Sequence, residues 1–237
     1  MLAGGLLMQT PLGGAHADTP AQGVTGHPVV VELFASQGCP NCPRAETYLA
    51  ELAGRDDIIA LSFAVDYWDY LGWRDSFASP AFTARQYAYG RILHHPRVYT
   101  PQMVLNGRSI HRGVRSKKLS KALAAAAHES AHNAPSLRAR LDDKGALVLD
   151  LDGPAMQGAS VWMAAYTPGV QKVRIGGGEN KGRIMDQVNM VTSLTRIGRW
   201  SGGTMHKVMP MPEEGGCAIF VQKDDHGPIL AAVRVQS

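Results

Sequence analysis

The feature that most limits what this chain can fold into is a cysteine pair placed between a strand pattern and a helix pattern. Residues 29–34 form a β-branched, apolar run that is typical of a buried strand. Cys39 and Cys42 follow a short loop, and residues 45–52 then repeat apolar side chains at helical spacing until Gly54. Because two residues separate the cysteines at a helix start, both sulfur atoms lie on one turn and can pair.

The Cys-Pro-Asn-Cys motif favours a redox-active dithiol. A helix N-terminus carries partial positive charge and free N–H groups, which stabilise a thiolate relative to a thiol. We expect Cys39, which leads into the helix, to be the exposed nucleophile, and Cys42, one turn inside, to be the resolving thiol. Since Pro43 has no N–H group, the helix can also begin near Cys42 and leave Cys39 on a loop.

The motif has two structural alternatives, a metal site and an inert disulfide. A zinc site usually takes a second cysteine pair or nearby histidines, and His94, His95 and His111 are distant in the sequence. A disulfide across four residues closes a very small loop and gains little stability. The third cysteine, Cys217, alternates with apolar residues and is expected to be buried and inert. We therefore predict no metal and no cofactor beyond the redox-active disulfide itself.

The residues up to 134 alternate between strand and helix patterns. A strand–helix–strand unit implies a parallel pair of strands, and an Asn-Gly turn implies an antiparallel hairpin. The expected fold is α/β, a mixed four-stranded sheet with flanking helices. The predicted elements that follow the motif are strands at 58–65, 102–105 and 109–112, a helix from Ser79-Pro80 to about residue 93, and a helix capped by Ser116.

Beyond Pro135 the pattern changes to strands. We expect a small β-rich, sandwich-like domain over 136–237, after an α/β domain over 28–134. Its glycine- and proline-rich residues 176–216 predict long connections, with a short helix around 186–193. The strands are predicted at 137–141, 147–151, 161–166, 217–222 and 229–235.

Residues 1–17 predict the end of an export signal. They are apolar or small and uncharged apart from His16, and Ala15-His16-Ala17 has the small-x-small form of a signal-peptidase site. A basic region is missing from these residues, so either the true start lies upstream or the signal is atypical; the alternative is a disordered tail. The later sequence has no run of about 20 apolar residues, the length that a membrane span needs. The net charge is +4, but the basic residues are scattered along the sequence, which argues against a nucleic-acid partner. The expected location is the periplasm or the exterior of the cell.

The strand before Cys39, Thr100-Pro101 ahead of a strand, and the Asn-Gly hairpin together resemble the thioredoxin superfamily. The resemblance implies that Pro101 follows a cis bond beside the dithiol and that the backbone before it pairs with substrate. Glu32 lies near the place where thioredoxins keep a buried acid, which makes it a candidate proton shuttle to Cys42. The alternative is a strand-end glutamate that is exposed or paired with an arginine.

More closely, the chain resembles a family of exported bacterial proteins of unknown function with a thioredoxin-like fold. The similar segments are 32–43, 64–68, 99–107, 178–180 and 198–200. In such a fold the loop after the second strand borders the dithiol, so Trp68 is a candidate substrate-binding residue together with Thr100 and Pro101. The alternative is that Trp68 covers the edge of the core.

These observations favour an exported thiol–disulfide oxidoreductase that acts on protein or peptide thiols and exchanges electrons with a redox partner. Whether it oxidises, reduces or isomerises depends on its reduction potential. Two hypotheses from other classes remain. One is a redox-poised copper-binding protein or metallochaperone that uses the two cysteines and a histidine. The other is a binding module whose β-rich half recognises a partner while the dithiol is vestigial.

Overall fold

The computed structural model describes residues 27–95, 97–130 and 134–236. The predicted export signal at 1–17 therefore lies outside the described residues. None of the helices in the described ranges is long and apolar enough to cross a bilayer. The helices are α1 (Cys42–Ala53), α2 (Pro80–Ile92) and α3 (Lys117–Ser130). The strands are β1 (Val29–Ala35), β2 (Ile58–Ala64), β3 (Gln102–Leu105), β4 (Ser109–Arg112), β5 (Ser136–Leu141), β6 (Leu147–Asp152), β7 (Ala159–Arg174), β8 (Ile184–Trp200), β9 (Met205–Met209), β10 (Gly216–Lys223) and β11 (Ile229–Gln236).

Eight of these strands form one mixed sheet in the order β11-β10-β7-β8-β2-β1-β3-β4. β1 is parallel to β2 and antiparallel to β3, and β3 pairs antiparallel with β4. This is the four-stranded arrangement that the sequence predicts. The sheet has eight strands rather than four because β8 pairs in parallel with β2, between Ser62 and Met190, and adds three further strands beyond that edge.

The elements of the first half begin and end where their local signals indicate. The Ser79 side chain accepts a hydrogen bond from the Ala81 N–H at 3.3 Å, which caps α2. The Ser116 side chain accepts one from the Leu119 N–H at 3.1 Å at the start of α3. Asn106, at the β3–β4 turn, has a φ of 47°, a left-handed conformation that the predicted hairpin turn requires.

Alternation along β1 divides its side chains between two cores. Val31 and Leu33 face α1 and α3, in a core that also contains both motif cysteines. Val30 and Phe34 face α2 and the apolar side of β10, on the opposite face of the sheet. Because successive strand residues point to opposite faces, Glu32 lies on the Val30–Phe34 face and away from the cysteines.

The second half is a further β-rich region in two layers. β5, β6 and β9 form a three-stranded sheet. Its apolar side packs on the large sheet around Leu149, Val161 and Ile219, which share one buried core. The strands predicted around 137–141, 147–151, 161–166, 217–222 and 229–235 are all confirmed. The division into units 28–134 and 136–237 stays a prediction, which limited proteolysis would test.

The helix predicted around 186–193 is wrong, and so are the long connections over 176–216. Residues 186–193 belong to β8, which pairs with β7 over most of the length of both strands. Asn189 has a φ of 46°, and the ladder shifts register nearby, between Thr167 and Val170. This irregularity interrupts the two-residue alternation by which a strand is identified from sequence.

Candidate functional site

The motif cysteines lie between β1 and α1 and form a disulfide, with Cα atoms 5.4 Å apart. Helix α1 begins at Cys42, and Asn41 at its N-cap makes no side-chain capping bond. The structure therefore has the later of the two helix starts that Pro43 allows. Cys39 lies in the preceding turn, where its N–H donates to the Ser36 carbonyl at 3.2 Å.

The structure does not expose Cys39. Only 1% of its surface is accessible, and Cys42 is fully buried. The prediction of an exposed Cys39 is therefore wrong for the disulfide form, while the prediction of a shielded Cys42 is confirmed. Part of the cover comes from the second half of the chain: the Asn180 side-chain amide donates to the Cys39 carbonyl at 2.8 Å and to the Gln37 carbonyl at 2.9 Å.

This part of the cover is the turn between β7 and β8, residues 175–183, which we call the cap turn. It packs against Trp73, in the loop after β2. A side chain at Gly176 would overlap the Trp73 ring, so only glycine fits there. The Trp73 ring N–H in turn donates to the Gln37 side-chain oxygen at 2.7 Å. The glycine run of the cap turn thus allows close approach of the cap turn to the dithiol loop.

Trp68 connects the dithiol loop to the segment before β3. Its ring N–H donates to the Thr100 hydroxyl at 2.8 Å. Its Cβ packs so closely on Gly38 that a Cβ there would lie 2.9 Å away. The Thr100–Pro101 bond is cis, as predicted. Trp68, Thr100 and Pro101 therefore meet at one side of the motif.

An open cleft of about 210 Å³ lies on this side of the motif. It is lined by Asn41, from within the motif, and by Thr100 and Pro101. Arg44 and Arg112 supply its charged walls. The cleft is an accessible space that reaches the motif at Asn41.

Glu32 does not meet the dithiol. It is fully buried on the opposite face of the sheet, where it accepts a hydrogen bond from the Arg85 guanidinium at 2.7 Å. The Tyr89 hydroxyl also donates to it. Gln222 of β10 accepts from Arg85 at 3.1 Å and donates to Tyr89 at 3.0 Å. Glu32 is thus paired with an arginine, and this cluster joins β1 and α2 to the second half.

A different acid, Glu46, is buried on the face of the dithiol. It lies four residues after Cys42 on α1, a spacing that brings Cβ atoms to about 5–6 Å of each other on one helix face. Its carboxylate accepts from the Ser62 hydroxyl at 2.7 Å and from the Val188 N–H at 3.2 Å. Burial is the main reason that its pKa is raised to about 7.

A buried polar network links the dithiol loop to its surroundings. The Gln37 N–H donates to Asp75 at 2.8 Å, and the Gln37 side chain donates to Gln187 of β8 at 2.9 Å. Burial raises the pKa of Asp75. The negative charge of Asp75 in turn contributes to the raised pKa of Glu46. Asp75 is therefore hydrogen-bonded to the loop that carries the motif and lies close enough to Glu46 to raise its pKa.

Sequence reasoning missed Glu46, Asn180 and Gln37. A signal for Glu46 was available, because it lies four residues after Cys42 and three before the buried Leu49 on α1. For Asn180 the available signal is its place in the segment 178–180 that resembles the exported family, and nothing in that segment predicts its contact with Cys39. Its contact with Cys39 spans 141 residues of sequence, and the turn that carries it is fixed only by the pairing of β7 with β8.

The remaining candidates lie apart from the dithiol. Cys217 is buried in the core under the three-stranded sheet, and burial raises the pKa of its thiol to about 12. His94 and His95 follow the end of α2, and His111 lies on β4. Within residues 27–95, 97–130 and 134–236 there is no group of three or more His, Cys, Asp or Glu side chains that could hold a metal ion.

Three comparisons place this architecture among known proteins. A family model described as a protein of unknown function (DUF1223) matches residues 30–222. A structural-genomics protein of Agrobacterium tumefaciens, solved by X-ray crystallography, is 32% identical, with a TM-score of 0.76 over 89% of this chain and 95% of its own. HBP35 of Porphyromonas gingivalis shares the fold alone, at 12% identity and a TM-score of 0.58 over 89% of this chain and 75% of its own. No curated protein matches the chain.

Proposed function

This chain belongs to the DUF1223 family of proteins of unknown function, and from that premise we propose that it is an exported thiol–disulfide oxidoreductase with a thioredoxin-like first half. The observation that carries the proposal is the Cys39–Cys42 disulfide at the β1–α1 junction, beside the cis Thr100–Pro101 bond and an open cleft. The β2-β1-β3-β4 order, with α1 directly after the motif, supports the thioredoxin-like assignment.

The proposed reaction is a two-step exchange. In the reduced protein the Cys39 thiolate attacks a substrate disulfide, one substrate thiolate leaves, and a mixed disulfide forms on Cys39. The Cys42 thiolate then attacks Cys39, which releases the second substrate thiolate and restores the disulfide. The substrate disulfide is reduced and the dithiol is oxidised, and the reverse sequence oxidises a substrate.

Glu46 is the proton acceptor that we propose for the resolving step. Cys42 must lose a proton before it attacks, and Glu46 lies one helical turn away on the same buried face. A carboxyl group with a pKa of about 7 is present in both protonation states near neutral pH. Glu46 can therefore take the proton from Cys42 in one direction and return it in the other.

The cover over Cys39 adds a condition to this proposal. A protein substrate cannot reach a sulfur atom that is buried by the cap turn, so the turn moves aside during the exchange. Its link at the dithiol is the Asn180 amide, which makes two hydrogen bonds to backbone carbonyls. Such a polar contact costs only about 0.5–1.5 kcal/mol to break per bond, which is compatible with transient opening.

The test of the function is substrate trapping in the compartment to which the protein is exported. Replacing Cys42 by serine removes the resolving thiol, so substrate proteins are expected to stay covalently bound to Cys39 and to be released by dithiothreitol. Replacing Cys39 by serine is expected to abolish trapping and exchange together. Cys217→Ser is the matched control, because that thiol is buried in another core and should leave exchange unchanged.

Two outcomes would contradict the proposal. Equal trapping on Cys42 in the Cys39→Ser protein would reverse the assignment of nucleophile and resolving thiol. The absence of any trapped species, together with no exchange by the wild-type protein on a scrambled or reduced substrate, would exclude the function. A redox titration against glutathione then decides whether the dithiol acts as oxidant or reductant.

A further inference from the structure

The cleft beside the motif is the start of a longer groove. A second cavity, of about 390 Å³, lies along α1 and shares Arg44 and Val114 with the first. The two cavities together extend from Asn41 to Glu51. Ten residues of α-helix rise about 15 Å, which is the length of about four or five residues of extended peptide. A small thiol would fill only one end of this groove.

The charge of the groove is concentrated at the end next to the dithiol. Arg44 lies two residues after Cys42, and Arg112 of β4 pairs with Gln102, the residue that follows Pro101. Both arginines are exposed, and neither forms an ion pair with any residue in the described ranges. Two uncompensated positive charges therefore flank the place where a substrate sulfur must approach.

The far end of the groove is electrically balanced. Arg115 forms an ion pair with Glu51 and stacks over the Tyr48 ring, with its guanidinium carbon 5.1 Å from the ring centre. Glu51 is the one carboxylate among the described residues that line the two cavities. The groove therefore favours negative charge close to the reacting cysteine and a neutral, partly apolar chain farther along.

We propose that this groove binds an extended segment of a substrate protein whose reactive cysteine is flanked by aspartate or glutamate, with Arg44 and Arg112 as the residues that select it. This inference rests on the proposed function and specifies its substrate class. Guanidinium groups bind carboxylates through paired N–H donors, so arginine suits this selection better than lysine would. Charge complementarity of this kind acts mainly on the rate of productive encounter.

The test uses two peptide disulfides that differ only in charge. Each is the symmetric dimer of a five-residue peptide with one central cysteine, and the residues two positions before and after it are aspartate in one peptide and asparagine in the other. In an extended chain these side chains lie on the same face as the cysteine. The protein is reduced with dithiothreitol and desalted, and its oxidation by each peptide is followed by tryptophan fluorescence and by mass spectrometry of the mixed disulfide.

The expected result is that the aspartate peptide reacts about tenfold faster at low ionic strength and loses most of this advantage in about 1 M salt. In Arg44→Gln and Arg112→Gln the ratio of the two rates is expected to fall by about threefold each. Because both peptides meet the same thiolate, this ratio cancels any effect of the arginines on the reactivity of Cys39. Arg140→Gln, an exposed arginine on β5, is the matched control and should keep the wild-type ratio.

Each contrary outcome has one meaning. Equal rates for the two peptides in the wild-type protein would overturn the substrate assignment and leave the oxidoreductase function standing. Faster reaction with glutathione disulfide than with the aspartate peptide would assign the arginines to a small carboxylate-bearing thiol, and would overturn the peptide proposal. No reaction with either peptide, glutathione disulfide or a protein disulfide would overturn the proposed function itself.

Discussion

Two buried glutamates on opposite faces of the large sheet differ in what surrounds them. Glu32 of β1 is paired with the Arg85 guanidinium and accepts a hydrogen bond from Tyr89. Glu46 of α1 accepts from the Ser62 hydroxyl and the Val188 N–H, and the charge of Asp75 raises its pKa further. Among the described residues, one carboxylate forms an ion pair with a cation and the other forms none.

This difference distinguishes the two faces of the large sheet. We call the side of Glu32 and Arg85 the structural face, and the side of Glu46 and the disulfide the chemical face. A buried ion pair fixes the charge of both partners and makes the removal of either one costly. A buried carboxyl group without a cation is easily protonated, and the pKa of Glu46 is accordingly raised to about 7. Burial alone therefore does not single out a proton-transfer residue, and burial without a counter-charge one helical turn from Cys42 is the reason that we propose Glu46 for that role.

The largest expected effect on stability comes from removing the ion pair between Glu32 and Arg85 on the structural face. Arg85→Met leaves Glu32 buried without its cation and removes hydrogen bonds to Tyr89 and Gln222. We expect the free energy of unfolding in urea to fall by about 3–5 kcal/mol, while exchange by the folded fraction stays within about twofold of wild type. The double variant Glu32→Gln, Arg85→Met should regain part of the loss. A loss below about 1 kcal/mol would show that the pair does not stabilise this face.

The next largest effect is the pH dependence that Glu46 gives to the free energy of unfolding. In the folded protein Glu46 keeps its proton up to about pH 7, while in the unfolded chain it loses the proton near the ordinary glutamate pKa of 4.5. Between these values the folded state binds more protons, so this group makes stability fall as pH rises, by a total of about 3 kcal/mol. Glu46→Gln imitates the protonated form, since its amide can donate to Ser62 while its oxygen accepts from Val188.

The measurement is the difference in unfolding free energy between wild type and Glu46→Gln at pH 4.5 and pH 8. We expect similar stability at pH 4.5 and a more stable variant at pH 8. Asp75, whose pKa is also raised by burial, contributes to both proteins and largely cancels in the difference. Exchange in the variant should lose its pH dependence near neutrality. An equal difference at both pH values would mean that Glu46 does not titrate in this range.

The sequence predicted those features that depend on nearby residues. β1, the hairpin and the serine caps follow from alternation, an Asn-Gly turn and capping side chains within a few positions. β8 was missed because Asp186 and Asn189 have low strand propensity and Asn189 interrupts the alternation. Its place in the sheet is fixed by distant partners in β7 and β2.

The features of the candidate site also fall into those that nearby residues predict and those that depend on distant residues. The cysteine pair and the cis Thr100–Pro101 bond were predicted from motif and resemblance, because both lie in short recognisable segments. The face of Glu32 was available from strand alternation, since Val30 and Phe34 flank it at two-residue spacing. The burial of Cys39 was not available, because part of its cover comes from the turn of Asn180, which lies 141 positions away.

The smallest expected effect tests whether the chemical face opens. Asn180→Ala removes two hydrogen bonds that hold the cap turn over Cys39, and it leaves the Cys39 and Gln37 carbonyls without that donor in the closed state. Closure should weaken by about 1–1.4 kcal/mol, so reduction of the disulfide by excess dithiothreitol should become about five- to tenfold faster. Glu179→Gln, at an exposed neighbour in the same turn, is the matched control. Alkylation and mass spectrometry at timed intervals give both rates. If hydrogen exchange shows a loosened cap turn while the reduction rate is unchanged, Cys39 is reached by another route and the cap turn does not gate this face.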